Sequence, residues 1–566
     1  MFKLTIRATR LSGPWVRRAA AAATLLSLGA LFSTAAYSED TLASLVRSGQ
    51  RDAVLAAITS PDLDVNATDP DGSTALLWAT YKVDHDLVRA LLKDHANPNI
   101  KNHYGAAPLT EAAKLGDVDL VTLLLNAHAD PNSPNQDNQT ALMLASSIGS
   151  LKIAQLLVKH GANVNAVESF RGQTALMWAA GENHPDIVDL LLAHHADVKQ
   201  RAKYDDWPRQ MTSEPRAQFR QTGGLTALLY ATRSGCYRCA VAIVKAGADV
   251  NQPNPEGITP LINALDNRDY DMANFLLDKG ANPGAWDMSG RTPLYVAVDM
   301  NSYGGPNGAG SGNFQGFGEG PPPDRPPNKA TAMDLVNRLL AMGVDPNHEL
   351  TRMRPNGNGR GRFADYMMRG GTGPLMVAAL NYDDDAIKAL LAHGAEVDLP
   401  NVFEITPLMA AAGMSGSSRG GVGSAIARAG HQQEDIQVRV IRTIDLLLAA
   451  GANINARITN SHTHTAKLVA YVQGRDHEGQ TAIFASAEAG WDKVVKHLID
   501  RGADPTMQDA SGKLALDYAR HPPPAFPGSP PPSKMAIAGR DATIAMLEAV
   551  SPKSRTGTDT TAAATK

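Results

Sequence analysis

Gly72-Ser73-Thr74-Ala75-Leu76-Leu77-Trp78-Ala79 comes back as Gly172-Gln173-Thr174-Ala175-Leu176-Met177-Trp178-Ala179. Its opening returns again as Gly257-Ile258-Thr259-Pro260-Leu261 and as Gly290-Arg291-Thr292-Pro293-Leu294. With the Thr position as origin, the series runs 74, 107, 140, 174, 226, 259, 292, 373, 406, 481 and 514. The successive gaps are 33, 33, 34, 52, 33, 33, 81, 33, 75 and 33. A second marker follows 21 residues after most origins, as in Gly161-Ala162-Asn163-Val164-Asn165 and Gly247-Ala248-Asp249-Val250-Asn251, and returns 24 residues late as Gly451-Ala452-Asn453-Ile454-Asn455. Two markers in register define a repeat array, and a fixed period of this size outranks any local propensity in setting the fold.

Each unit reads as two short helices and an extended turn. The Thr hydroxyl is placed to cap the first helix, and Pro108, Pro260, Pro293 and Pro407 fall at its first position, where the missing N–H costs nothing. In the third unit, Ile153, Leu156 and Leu157 make one apolar stripe on a second helix predicted from Leu151 to His160. Gly161 then supplies a left-handed stop. His128, His160 and His194 stand at the ends of second helices, where their rings are expected to cap carbonyls. A helix pair this small cannot bury its own apolar face, so the units must stack and the ends must be capped.

These motifs resemble those of the ankyrin-repeat family, with its 33-residue unit, Thr-Pro-Leu-His-x-Ala-type motif and Gly-Ala-Asp-x-Asn turn. The resemblance covers about residues 40–550; the motif's His is replaced throughout, for example by Leu77, Met143 and Met177, and Leu514 stands at the last Thr position. It implies an all-α solenoid of helix-turn-helix units with β-hairpin or extended-turn fingers, serving as a binding scaffold.

Composition sets the outer limits. The 566 residues are 43% hydrophobic and 19% charged, too apolar for a wholly disordered chain, and two cysteines allow neither a disulfide framework nor a four-cysteine zinc module. A net charge of −4 argues against a nucleic-acid binder. Residues 1–38 hold Lys3, Arg7, Arg10, Arg17 and Arg18 and no acid, then an apolar stretch from Ala19 to Leu31, then small residues up to Ser38. That order predicts a secretory signal cut before Glu39; an uncleaved anchor is the competing reading, disfavoured by the short apolar stretch. Without the signal the chain carries −9 and no membrane span is expected, so the expectation is an exported protein, periplasmic or released.

The remaining organisation follows from the register. Residues 39–70 read as an N-terminal cap, 71–300 and 331–550 as repeats, and 551–566 as a disordered tail. Gly/Pro-rich residues 301–330 and Gly/Ser-rich residues 413–436 fall between the helices of a unit and read as flexible tethers, and Pro-rich 521–535 interrupts the last unit.

Three further inserts, 199–223, 348–370 and 456–478, lengthen the turn between units, and loops of this length are usually functional or disordered. They carry +3, +3 and +1 against −16 for the rest of the mature chain. Trp207, Arg209, Arg216 and Phe219 lie in the first, Arg354, Arg360, Arg362 and Tyr366 in the second, and Tyr471 in the third. A basic, aromatic-bearing rim of this kind suits a protein partner with an acidic surface; the competing reading is three solvated loops.

No catalytic motif stands in a suitable context, and no cofactor or metal is expected. Cys236 and Cys239 form a Cys-x-x-Cys that is open to a local disulfide, two ordinary thiols or a redox pair. His462, His464, His477 and Glu478 match no standard metal spacing. The function expected is therefore a non-enzymatic scaffold. The alternatives are a thiol or metal activity on the inserted loops, or a secreted effector directed at a host.

Overall fold

The computed structural model describes residues 41–58, 60, 63–204, 223–304, 327–351, 370–414, 436–459, 477–522 and 534–550. Among these the protein forms helix pairs in an unbroken series, and no strand longer than an isolated bridge occurs. The pair Leu42–Ser48 and Arg51–Ile58 opens the series, followed by Ala75–Tyr81 with His85–Lys93 and Pro108–Leu115 with Val118–Asn126. The same pattern continues to Ala482–Ala489 with Asp492–Asp500, and ends with Ala515–Arg520 and Lys534–Val550. Each first helix packs on the first helices before and after it, so the pairs make one continuous stack.

The core is a set of columns, one residue per unit. Two residues after each origin stand Leu76, Leu109, Leu142, Leu176, Leu228, Leu261, Leu294, Leu375, Leu408, Ile483 and Leu516, all buried. Three residues further on, Ala79, Ala112, Ala145, Ala179, Ala231 and Ala264 are fully buried where first helices approach one another. Second helices add Leu91, Leu124, Leu157, Leu191, Ile243 and Leu276, likewise fully buried. Burying a leucine is worth roughly 1.5–3 kcal/mol, and most of each column lies between units rather than within one.

The capping expected of the Thr positions is present in seven units, absent at Gly373 and Thr481, and replaced from within the helix at Ala107 and Leu514. Thr74 Oγ1 accepts from the Leu77 N–H at 3.2 Å, and Thr140, Thr174, Thr226, Thr259, Thr292 and Thr406 cap in the same way. Where Ala107 replaces Thr, the Thr110 hydroxyl reaches back and accepts from the Ala107 N–H at 3.2 Å. Asp517 does the same for Leu514 at 2.8 Å.

Two rows of hydrogen bonds run across the units along the turns. In the first, the last Asn of each marker clamps the following turn. Asn132 donates to the Gly161 carbonyl at 3.0 Å and accepts from the Asn163 N–H at 2.6 Å. Asn99, Asn165, Asn251, Asn347 and Asn455 make the same pair of bonds one unit along. Lys199 and Gly284 occupy this position in two units, and no such clamp forms there. In the second row, the backbone of most fingers donates to the one before, as from His103 to the Asp71 carbonyl and from Ser169 to the Asp137 carbonyl, while Pro255 has no N–H to give. Fingers approach so closely that a Cβ on Gly105 would lie 2.5 Å from the Gln136 nitrogen, and its φ of +72° independently demands glycine.

Asn132→Ala removes both bonds of one clamp, so it should lower stability by about 1–2 kcal/mol. Lys199→Asn should raise it by about half as much, by creating a clamp on the next turn. Shifts in the urea midpoint measure both, and equal effects of the two substitutions would contradict the clamp.

Candidate partner-binding edge

An ordinary finger is a five-residue turn closed by one Asx side chain. Asn102 Oδ1 accepts from the Tyr104 and Ala106 N–H groups at 3.1 and 2.9 Å, and the Asn102 N–H donates to the Ala106 carbonyl. Asn135, Asn254, Asp287, Asn401 and Asp509 close their fingers in the same way. The reason is local: a turn this tight leaves inward-pointing N–H groups with no backbone acceptor.

In the three fingers with long inserts the Asx is replaced by Ala202, Leu350 and Ile458, all buried. Their backbone closes the stem instead. The Ala202 N–H donates to the Leu225 carbonyl and the Gly224 N–H returns to the Lys203 carbonyl. Leu350 pairs in the same manner with Thr372 and Gly371, and Ile458 with Gln480 and Gly479. Each of the three inserts is thus flanked by a backbone clasp, which returns to Lys203 in the first and to Leu350 and Ile458 themselves in the other two. The stems still belong to the finger row, because Lys203 donates to the Arg171 carbonyl and Thr351 to the Ser289 carbonyl.

Trp207, Arg209, Arg216, Phe219, Arg354, Arg360, Arg362, Tyr366 and Tyr471 lie outside the described residues, as do His462 and His464. Some of the insert cations that are described serve the stems. Arg201 donates to the Gly224 carbonyl, and Arg457 to the Gly479 and Gln508 carbonyls. Sequence reasoning passed over Tyr104 and Phe170, which stand two residues after their finger's closing side chain and are 68% and 74% exposed. With Tyr204, 53% exposed at the first long stem, they line the outer edge of the fingers in the first half of the stack. The Arg171 guanidinium lies 5.7 Å from the Phe170 ring. The offset from the closing side chain does not itself predict exposure, because Glu256, Ser289 and Phe403 stand at the same offset and are buried.

Trp78 and Trp178 hold equivalent half-buried places on their first helices, and the Trp78 indole donates to Asp69 at 3.2 Å. Cys236 caps the helix Tyr237–Lys245, where other units place Asp84, Asp117, Asp269 or Asp383. Its sulfur is joined to Cys239, and both residues are buried. Among the described residues no three His, Cys, Asp or Glu side chains converge on a metal site, and His477 is bonded to Gln480. Nor is any described helix long and apolar enough to cross a membrane.

The return of each inter-helix insert is pinned to a neighbouring helix N-terminus. Asn328 accepts from the Tyr270 N–H and donates to the Arg268 carbonyl, at 3.1 and 2.7 Å. Gln437 accepts from the Lys493 N–H and donates to Asp492, at 2.9 and 3.0 Å.

Comparison with known proteins agrees with this architecture. The model of ankyrin repeats in tandem matches residues 41–135, 109–202 and 228–305, and that of the single ankyrin repeat matches 478–510. The chain belongs to the ankyrin-repeat family. It is 30% identical over 194 residues to a mitochondrial disaggregase of Bos taurus, covering 34% of this chain and 20% of that protein. It is also 30% identical over 105 residues to ankyrin repeat and SOCS box protein 6 of Homo sapiens, covering 18% of this chain and 21% of the relative. The chain thus spans about one fifth of the length of either relative.

Leu350→Ala and Ile458→Ala should each cost about 2–4 kcal/mol, because the stem closes on the buried side chain rather than on an Asx bond. Thermal unfolding measures this, and a loss under about 1 kcal/mol would show that the apolar residue does not hold the clasp.

Proposed function

We propose that this protein is an exported, non-enzymatic scaffold that seizes a partner protein by an acidic surface, using three basic fingers raised from one edge of the stack. The observation that carries the reading is the common closure of the three stems at Ala202, Leu350 and Ile458. It lets chains of 17–18 residues be inserted without opening the array, and it starts all three from the same row. Basic inserts on an otherwise acidic chain concentrate positive potential at that row, which steers an acidic partner and speeds encounter. The aromatic side chains in the inserts and at Tyr104, Phe170 and Tyr204 supply apolar anchors around which such contacts gain energy.

Export rests on residues 1–38, and a mature N-terminus at Glu39, read by mass spectrometry of the fractionated cell, is the expected result. For the fingers, the test is affinity capture from the exported fraction with wild type and with Arg209→Glu/Arg354→Glu/Arg362→Glu. Partner retention should fall by about tenfold or more and the salt dependence should flatten, with the melting temperature unchanged. Undiminished retention by the charge-reversed variant would remove the fingers from the binding surface.

A further inference from the structure

Five of the sixteen histidines fall in one row: His95, His128, His160, His194 and His195, at the ends of the second helices of four consecutive units. All five are exposed. His95, His128 and His195 sit in the left-handed region, with φ of 65°, 63° and 63°. Gly161, Gly247, Gly280, Gly343, Gly394, Gly451 and Gly502 hold that position in other units, where a Cβ would meet nothing within 4 Å. A branched ring there is strained and points into open space, so nothing inside the fold rewards it. The expectation that His128, His160 and His194 cap helix carbonyls is not met. Among the described residues none of the five rings makes a hydrogen bond, whereas the His393 ring bonds the Ala389 carbonyl at 2.8 Å.

The row is also held rigid. Asn99, Asn132 and Asn165 clamp three of these turns, Asn66 accepts from the Asn97 N–H in the remaining one, and the run stops at Lys199, where the row stops. With neighbouring helices about 8–10 Å apart, the imidazoles are spread along an edge on the order of 30 Å long. The charged side chains sharing these turns are Lys93, Lys159 and Lys199 against Asp94, Asp130 and Asp197, with Asp64 on the turn before and Lys245 and Asp249 on the one after. The row is therefore balanced while its imidazoles are neutral and becomes strongly positive when they are protonated. Imidazole is the side chain whose charge ordinarily changes between pH 5 and 8. No exposed large hydrophobic residue lies in the four turns, so the row lacks what insertion into a lipid surface needs.

We infer that this histidine row is a second docking edge, which binds a carboxylate-rich protein segment when the surroundings turn acidic. It uses none of Arg209, Arg354 and Arg362 and does not rest on the finger reading.

The test is binding of fluorescent poly-aspartate to the full chain at about pH 5.5 and about pH 7.5. Wild type should bind about tenfold or more tightly at the lower pH. The variant with all five histidines changed to Asn, which tolerates the left-handed region, should lose most of that gain. Charge reversal in the fingers should weaken binding at both pH values and leave the ratio intact, which separates the two edges. A second variant, His95→Gly/His128→Gly/His195→Gly, should melt higher than wild type while losing part of the acid-dependent gain. The inference is overturned if the Asn variant keeps the full pH ratio, or if the Gly variant melts lower, which would give the rings a structural role. Binding to phosphatidylglycerol vesicles at low pH that depends on the same histidines would overturn the choice of a protein partner.

Discussion

No helix pair in this chain can bury its own apolar face, and every other property follows from that shortage. Leu76, Leu142, Leu261 and Leu408 are buried on first helices that pack against those of both neighbouring units, and the alanine column beside them is fully buried as well. Stability is then a sum of interfaces rather than a property of any one unit. The terminal pairs must close the array, and both ends have a helix pair in place, Leu42–Ser48 with Arg51–Ile58 and Ala515–Arg520 with Lys534–Val550.

Side-chain packing fixes the stack, while the turns fix its spacing. The Asn clamps tie each turn to the next by a donor and an acceptor at once, and the finger backbones form a second row parallel to the first. Both rows are made of groups at the surface, so a unit can lose its clamp, as at Lys199 and Gly284, without losing its place in the core. The same separation explains why long inserts are tolerated. A finger that no longer needs a tight turn has no use for an Asx acceptor, and an apolar residue takes the vacant position to shut the stem. The array thus carries added chain only where backbone pairing has already been completed.

Much of this was legible from the sequence because periodicity is a direct record of packing. The 33-residue period, the Thr caps and the apolar columns all mark places where the same kind of residue recurs in most units. The role of the second Asn was not legible, since its partners lie in the next turn and the sequence shows only that it recurs. The replacement of Asx by Ala202, Leu350 and Ile458 was likewise invisible until the stems were aligned by their hydrogen bonds. The histidine rings were misjudged for a related reason. A position near a helix end permits capping, but the left-handed backbone at His128 turns the side chain away from the carbonyls, and at His160 and His194 the rings bond no carbonyl among the described residues. Of the candidate site, the stems and the outer aromatic edge can be placed, and the inserted residues themselves lie beyond the described chain.

The most direct test of the continuous stack is native-state hydrogen exchange on Leu191→Ala, which empties one buried site in the fourth unit, directly before the first long insert. Protection should fall most in the helices Ala175–Gly181 and Pro185–Ala193, less in the units on either side, and progressively less with distance. Loss confined to a block that ends sharply at one of the long inserts, with the next unit unaffected, would mean that the chain is divided into independent bodies and would contradict the account.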